Sequence, residues 1–109
     1  MIFFERILME KKSNQFLFII HHSKKSSTKK HWDEYIAFLI KKGHLNGGSS
    51  LGKGVGVKNS KKVLPRAKTI GGYIVVSAKT IGIASKLACL CPAHVNGGNI
   101  DIFPLVRDK

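Results

Sequence analysis

The sequence predicts an α+β protein in which one face of a four-stranded antiparallel sheet is covered by two helices. Three segments carry this prediction: residues 15–22 read QFLFIIHH, residues 72–77 read GYIVVS and residues 100–106 read IDIFPLV. Continuous apolar runs are typical of strands buried on both faces, whereas a strand with one wet face alternates apolar and polar residues. Since two helices cover only one face, we expect a second copy of the sheet to cover the other.

The first of these strands leads into a helix. The strand over residues 15–22 is followed by a polar loop and by an N-cap at Ser27 or Thr28. Gly43 is expected to end the helix as a left-handed cap. The apolar stripe of the helix lies at positions i, i+3, i+4 and i+7 and consists of Trp32, Tyr35, Ile36 and Leu39.

The middle of the chain predicts a second strand and a long connection. Residues 44–51, HLNGGSSL, form a weak strand interrupted by glycine. Residues 53–69 have few apolar side chains, and we expect them to form an extended hairpin with its turn near Asn59 and Ser60.

The last third repeats the order of strand, helix and strand. After the strand at 72–77, Thr80 is expected to cap a second helix, which Pro92 ends. The apolar face of this helix consists of Ile81, Ala84, Leu87, Ala88 and Cys91. The resulting order βαββαβ predicts the ferredoxin-like arrangement, with four antiparallel strands and both helices on one face.

The length of 109 residues predicts one domain, which we place at residues 13–109. Residues 1–12, MIFFERILMEKK, are expected to be a flexible N-terminal extension. Glu5 and Arg6 interrupt their apolar stretch, which argues against a signal peptide. No apolar run approaches the roughly 18 to 20 residues that cross a bilayer. With only two cysteines, we expect a cytoplasmic protein that does not enter the membrane.

The net charge of +13, from 19 basic and six acidic residues, suits a protein that binds anions or nucleic acid. The positive charge is mostly lysine, in doublets such as Lys24–Lys25 and Lys61–Lys62. Lysine doublets are also typical of a solvated surface, and arginine, which binds phosphate in bidentate fashion, is scarce. We therefore favour a solvated basic surface and regard nucleic acid as the less favoured partner.

Three segments resemble the YciI-like (YCII-related) family of small dimeric α+β barrel proteins. They read GHLNGGSSLG, IGGYIVVSA and CLCPAHVNGGNIDIFPL, and the resemblance runs from about residue 15 to residue 105. It implies a homodimer that packs sheet against sheet. The chain departs from the family in its hairpin, where KVLPRAKT replaces an Asp-Gly-Pro-Phe signature, and before the final proline, where Phe103 replaces an arginine.

The resemblance also implies an active site built on a histidine and an aspartate. Counting back from Gly47 and Gly48 places His31 at the histidine position. In the first turn of a helix the macrodipole disfavours the charged imidazolium form, so His31 would be available as a neutral base. Glu34, at position i+3 of the same helix, can reach the His31 side chain. We predict His31 and Glu34 as catalytic residues. The alternative interpretation of His31 is a solvated or capping side chain.

Topology groups further side chains near this helix start, because strand ends and loops meet at one edge of the sheet. We predict His21, His94, Lys53, Arg66 and Tyr35 as substrate-binding residues for a small anionic molecule. Tyr35 also suits a core position. The run Cys89, Cys91 and His94 does not have the spacing of a zinc site, so we expect no metal and no cofactor, and we interpret Cys91 as a small buried residue.

Two classes of function follow. The first is a cofactor-independent lyase or isomerase with a histidine general base. The second is a binding protein: a non-catalytic dimer for a small ligand or, less favoured, a basic RNA-binding module, whose stacking positions hold valine rather than aromatic residues here.

Overall fold

The computed structural model describes residues 14–25, 27–65 and 69–106. The predicted N-terminal extension and Arg66 lie outside these ranges. The elements are β1 (Asn14–His21), α1 (Lys29–Lys41), β2 (Leu45–Ser50), β3 (Gly56–Lys58), β4 (Lys61–Val63), β5 (Ile70–Ala78), α2 (Ile81–Cys89), α3 (Pro92–Val95) and β6 (Asn99–Pro104).

Four strands form the main sheet in the order β2-β5-β1-β6, and every neighbouring pair is antiparallel. The fold is therefore α+β with a four-stranded antiparallel sheet, as the sequence predicts, and the strand order is compatible with a ferredoxin-like arrangement. Strands β3 and β4 form a separate two-stranded sheet.

The hydrophobic core lies between one face of this sheet and the helices. Alternate residues of β1 and β5 point toward the helices, because successive side chains of a strand point to opposite faces. Phe18, Leu39, Val76 and Cys91 are fully buried. The other core residues are Phe16, Ile20, Tyr35, Ile74, Ala78, Ala84, Leu87, Ala88 and Ala93.

The opposite face of the sheet, here called the open face, carries the other half of the same strands. At its centre Leu17 of β1 lies between Val75 of β5 and Phe103 of β6. Ile19 and Tyr73 pair beside them. Phe103 is 52% exposed. The prediction of apolar residues on both faces is confirmed for β1 and β5, whereas the open face of β6 carries Asn99 and Asp101 beside Phe103. Within the described chain only one of the two faces is covered.

The capping predictions are confirmed for both long helices. The N-cap of α1 is Thr28, whose Oγ1 accepts a hydrogen bond from the His31 backbone N–H at 3.2 Å. Thr80 caps α2 in the same way through the Ile83 N–H at 3.1 Å. Gly43 ends α1 with φ of +76°.

The prediction of two helices is wrong, because the described residues contain a third helix, α3, after α2. Pro92 does not only end α2: it begins α3 at a first-turn position, where its missing N–H has no intrahelical partner to lose. Proline forces the preceding Cys91 into an extended conformation, with ψ of 133°. Cys91 therefore lies outside α2, although its side chain is buried as predicted.

The hairpin prediction is confirmed. Lys58 pairs with Lys61 across a two-residue turn. The turn residues Asn59 and Ser60 have φ of +53° and +64°, which is the type I′ geometry that matches the twist of a β-ribbon.

Candidate functional site

The most distinctive polar contact of the described residues joins His21, the last residue of β1, to Asp101 on β6. In the β1–β6 register His21 is opposite Asn99 and Asp101 is opposite Ile19, so His21 and Asp101 are diagonal neighbours on the open face. The His21 Nε2 lies 2.9 Å from the Asp101 Oδ2. On the other side of the ring, Nδ1 lies 2.8 Å from the Thr69 Oγ1.

These two contacts assign the roles of the two ring nitrogens in neutral His21. A carboxylate only accepts hydrogen bonds, so the proton of the neutral ring lies on Nε2 and is donated to Asp101. Nδ1 then carries the lone pair and accepts the hydrogen bond of the Thr69 hydroxyl. The arrangement holds the ring in a fixed orientation with its basic nitrogen next to a hydroxyl.

The pair is accessible from solvent. The side chain of His21 is 20% exposed and that of Asp101 is 46% exposed. Ile19 and Tyr73 are their neighbours on the open face. A partly desolvated histidine that is oriented by a carboxylate is suited to general base catalysis, because the carboxylate stabilises the imidazolium formed when the ring takes up a proton.

Glycine allows β6 to approach His21 closely. A Cβ on Gly98 would overlap the His21 carbonyl oxygen and would lie 2.8 Å from the Ala93 carbonyl oxygen. The loop before β6 is further tied to the end of β1 by Ser23, whose hydroxyl donates to the Asn96 carbonyl at 2.6 Å. These backbone contacts place Asp101 within reach of His21.

The predicted catalytic residues lie elsewhere. His31, Glu34 and Tyr35 line a cleft of about 350 Å³ between α1 and α3, together with Phe38, Leu90, Pro92, Val95 and Asn96. The backbone N–H of His31 binds the N-cap Thr28. Within the described ranges no carboxylate is hydrogen-bonded to the His31 ring, so a catalytic role for His31 and Glu34 stays a prediction.

Tyr35 is a core residue at the wall of this cleft. Its side chain is only 5% exposed, and its hydroxyl donates a hydrogen bond to the Leu87 carbonyl at 2.8 Å. Burial raises the pKa of Tyr35, and the nearby Cys91 raises it further. The phenol is therefore neutral at physiological pH and bound to α2, and its predicted contact with substrate stays untested.

The other predicted binding residues lie on different elements. His94 is exposed on α3, and Lys53 is exposed in the connection between β2 and β3. His21 lies on the open face, whereas α1, which carries His31, packs on the opposite face. In the described ranges no hydrogen bond or ion pair joins the His94 or Lys53 side chain to His21, so the predicted grouping of these residues stays a prediction.

A second and larger cavity of about 530 Å³ lies between α1 and the β2–β5 edge of the sheet. Trp32 and Ile36 of α1 form one wall, and Leu45 and Ile74 form the floor. Its rim includes His22, Ser49, Ser50 and Tyr73. The cavity has the size and the apolar lining of a small-molecule site.

Sequence reasoning missed Asp101 and Thr69. Asp101 could have been noticed because it is the single acidic residue in the otherwise apolar segment IDIFPLV. This segment was expected to form a strand near the end of β1 that carries His21 and His22. The β1–β6 register, which decides that Asp101 meets His21, cannot be read from either segment alone. Thr69 lies at the end of the long connection and gives no local signal.

No family model matches the chain, and no curated protein matches it significantly. Among the described residues, no helix is both long and apolar enough to cross a membrane.

Proposed function

We propose that this protein is a cofactor-independent lyase or isomerase that acts on a small anionic substrate, with His21 as the general base. The observation that supports the proposal best is the hydrogen-bonded series Thr69, His21 and Asp101 on the open face. It supplies a base, a group that orients the base, and a route for the proton at one accessible place.

The proposed step is removal of a proton from a carbon next to a carbonyl or carboxyl group. The C–H proton moves to the Nδ1 of His21 as the substrate replaces the Thr69 hydroxyl there, and the electron pair moves onto the carbonyl oxygen as an enolate. Asp101 stabilises the resulting imidazolium through Nε2. Return of the proton to another carbon gives an isomerase, and loss of a leaving group gives a lyase. The net charge of +13 favours capture of an anion.

The proposal includes a homodimer formed through the open faces. Leu17, Val75 and Phe103 form an apolar patch beside the His21–Asp101 pair. A second copy packed on this patch would remove it from water and would enclose the pair, which strengthens the interaction of the charged groups by excluding solvent. The resemblance to the YciI-like family supports this mode of assembly.

The general base can be tested without knowing the physiological substrate. A base that removes a carbon-bound proton also exchanges it with solvent, so the protein in deuterium oxide is incubated with a panel of small 2-oxo and 3-oxo carboxylic acids and deuterium incorporation is followed by NMR. We expect His21→Gln to abolish incorporation and His31→Gln to retain it. Loss in His31→Gln with retention in His21→Gln would transfer the role to His31, and an unreactive wild-type protein would count against the enzyme.

The second candidate is a non-catalytic dimer that binds a small ligand, and the 530 Å³ cavity favours it. Trp32, the single tryptophan of the chain, forms a wall of that cavity. Quenching or a spectral shift of its fluorescence by members of the same acid panel, without any deuterium incorporation, would support this candidate over the enzyme.

A further inference from the structure

The two-stranded ribbon of β3 and β4, here called the arm, concentrates positive charge away from the main sheet. Among the described residues, its strands pair only with each other. Val57 is 73% exposed, so the arm is not packed into the core. Lys58, Lys61 and Lys62 project from it. No acidic residue occurs between Glu34 and Asp101 in the sequence, so the arm has no carboxylate within its own segment.

The arrangement of the lysines in the arm destabilises the isolated ribbon. Lys58 lies directly opposite Lys61 on one face, and Lys62 lies opposite Val57 on the other. Like charges that face each other across a strand pair are destabilising, and an isolated two-stranded hairpin is marginally stable in water. An anion bound between these lysines would remove the repulsion.

We propose that the arm binds double-stranded DNA by entering its major groove. The major groove of B-form DNA admits a two-stranded β-ribbon. The arm carries lysines on both of its faces, Lys58 and Lys61 on one and Lys62 on the other, and these would contact phosphates. Lysine can contact phosphate without the bidentate hydrogen bonds of arginine and without aromatic side chains that stack on bases. The lack of those groups, which disfavours base-stacking RNA recognition, therefore does not disfavour this mode. The deep, narrow major groove of A-form RNA does not admit a ribbon.

The salt dependence of binding measures the number of phosphate contacts directly. Each neutralised phosphate of B-DNA contributes about −0.9 to the slope of log K against log salt concentration. Contacts from Lys58, Lys61 and Lys62 would give a slope of about −2.7, which corresponds to roughly a 40-fold loss of affinity between 50 and 200 mM salt. The double variant Lys58→Gln/Lys61→Gln should have a slope of about −0.9.

The experiment is fluorescence anisotropy with a labelled 20-base-pair DNA duplex of arbitrary sequence, titrated across a salt series. The matched control is Lys79→Gln/Lys86→Gln, which changes the net charge equally at exposed positions outside the arm. We expect the control to keep the wild-type slope. Circular dichroism and amide exchange at Val63, which forms a hydrogen-bonded pair with Gly56, check that the variant arm persists, and removal of the Lys58–Lys61 repulsion favours this.

Three outcomes would overturn the proposal. They are equal slopes for the two double variants, equal affinity and slope for an RNA duplex of the same length, and arm-dependent binding to phosphatidylserine vesicles in the absence of DNA binding. Slowed amide exchange in the arm on addition of the DNA duplex would add direct support.

Discussion

His21 and Asp101 are diagonal neighbours on adjacent antiparallel strands, and their side chains meet at 2.9 Å although their backbones are two residues out of direct register. If the carboxylate stabilises imidazolium, Asp101→Asn should slow deuterium incorporation about 100-fold, the lower end of a typical general base contribution. The matched control is Asp33→Asn, which removes a carboxylate paired with Lys29 on the helix surface. A similar loss in both variants would refute a specific role for Asp101.

The open face gives a prediction about assembly. Leu17 lies at the centre of this face between Val75 and Phe103, so Leu17→Lys would place a charge in the proposed dimer interface. We expect wild-type protein to sediment as a dimer at micromolar concentration and the variant as a monomer. Ala37→Lys, on the exposed side of α1, adds the same charge and should leave the dimer intact. A monomeric wild-type protein would contradict the assembly and the enclosed site.

Tyr35 gives a prediction about stability and its pH dependence. Tyr35→Phe removes the hydrogen bond to Leu87, and we expect a loss of about 1 kcal/mol of unfolding free energy at neutral pH. Burial raises the pKa of Tyr35 above the ordinary 10.0, so at higher pH the phenol ionises in the unfolded chain and stays neutral in the folded one. The tyrosine then destabilises the wild type by about 1.4 kcal/mol per pH unit relative to Tyr35→Phe.

Urea denaturation between about pH 7 and pH 11 measures this effect as the difference between the wild type and Tyr35→Phe, in which the titration of the lysines cancels. The difference should shrink above pH 10.0 and then change sign. A difference that is constant with pH would show that Tyr35 is not buried as described.

Gly47 and Gly48 form a matched pair for testing the close approach of β2 to β5. Their φ angles are nearly equal, +154° and +155°, so alanine is equally strained at both. A Cβ at Gly48 would lie 2.6 Å from the Tyr73 carbonyl oxygen, whereas a Cβ at Gly47 would meet nothing within 4 Å. We expect Gly48→Ala to cost about 1 to 3 kcal/mol more unfolding free energy than Gly47→Ala in urea denaturation. Equal losses of unfolding free energy in the two variants would show that β2 and β5 lie further apart than described.

Ser60 gives a prediction about the arm. Its φ of +64° is in the left-handed region, which costs a side-chain-bearing residue about 1 kcal/mol relative to glycine. Ser60→Gly should therefore slow amide exchange at Val63, whose N–H belongs to the hydrogen-bonded pair with Gly56, about fivefold, since the arm opens less often. Ser50→Gly, on β2, should not change that rate. Faster exchange in Ser60→Gly would indicate a different turn.

The sequence alone predicted most elements of this fold because their signals are local. Thr28 and Thr80 precede their helices as side-chain caps, Gly43 ends α1, and the Asn59–Ser60 turn separates two short segments. Each of these signals depends on residues within about one turn of each other. The apolar runs of β1 and β5 similarly showed that the sheet has two apolar faces.

Pro92 marks the limit of that local information. A proline can end one helix or begin the next. The sequence does not distinguish these roles at Pro92, because the residues that follow it, AHVNGGN, form only one short helical turn. Ala93 is buried in the core, and α3 packs against α1, which is distant in the sequence.

The sequence by itself determined that this chain has a strongly basic surface and a sheet with two apolar faces, since charge and hydrophobic pattern are properties of composition and local order. Only the tertiary structure decided that His21, rather than His31, meets a carboxylate. That outcome depends on the register between β1 and β6, where a shift of one residue would move Asp101 to the opposite face of the sheet. Register is a property of two strands paired in space, so no single segment of the sequence contains it.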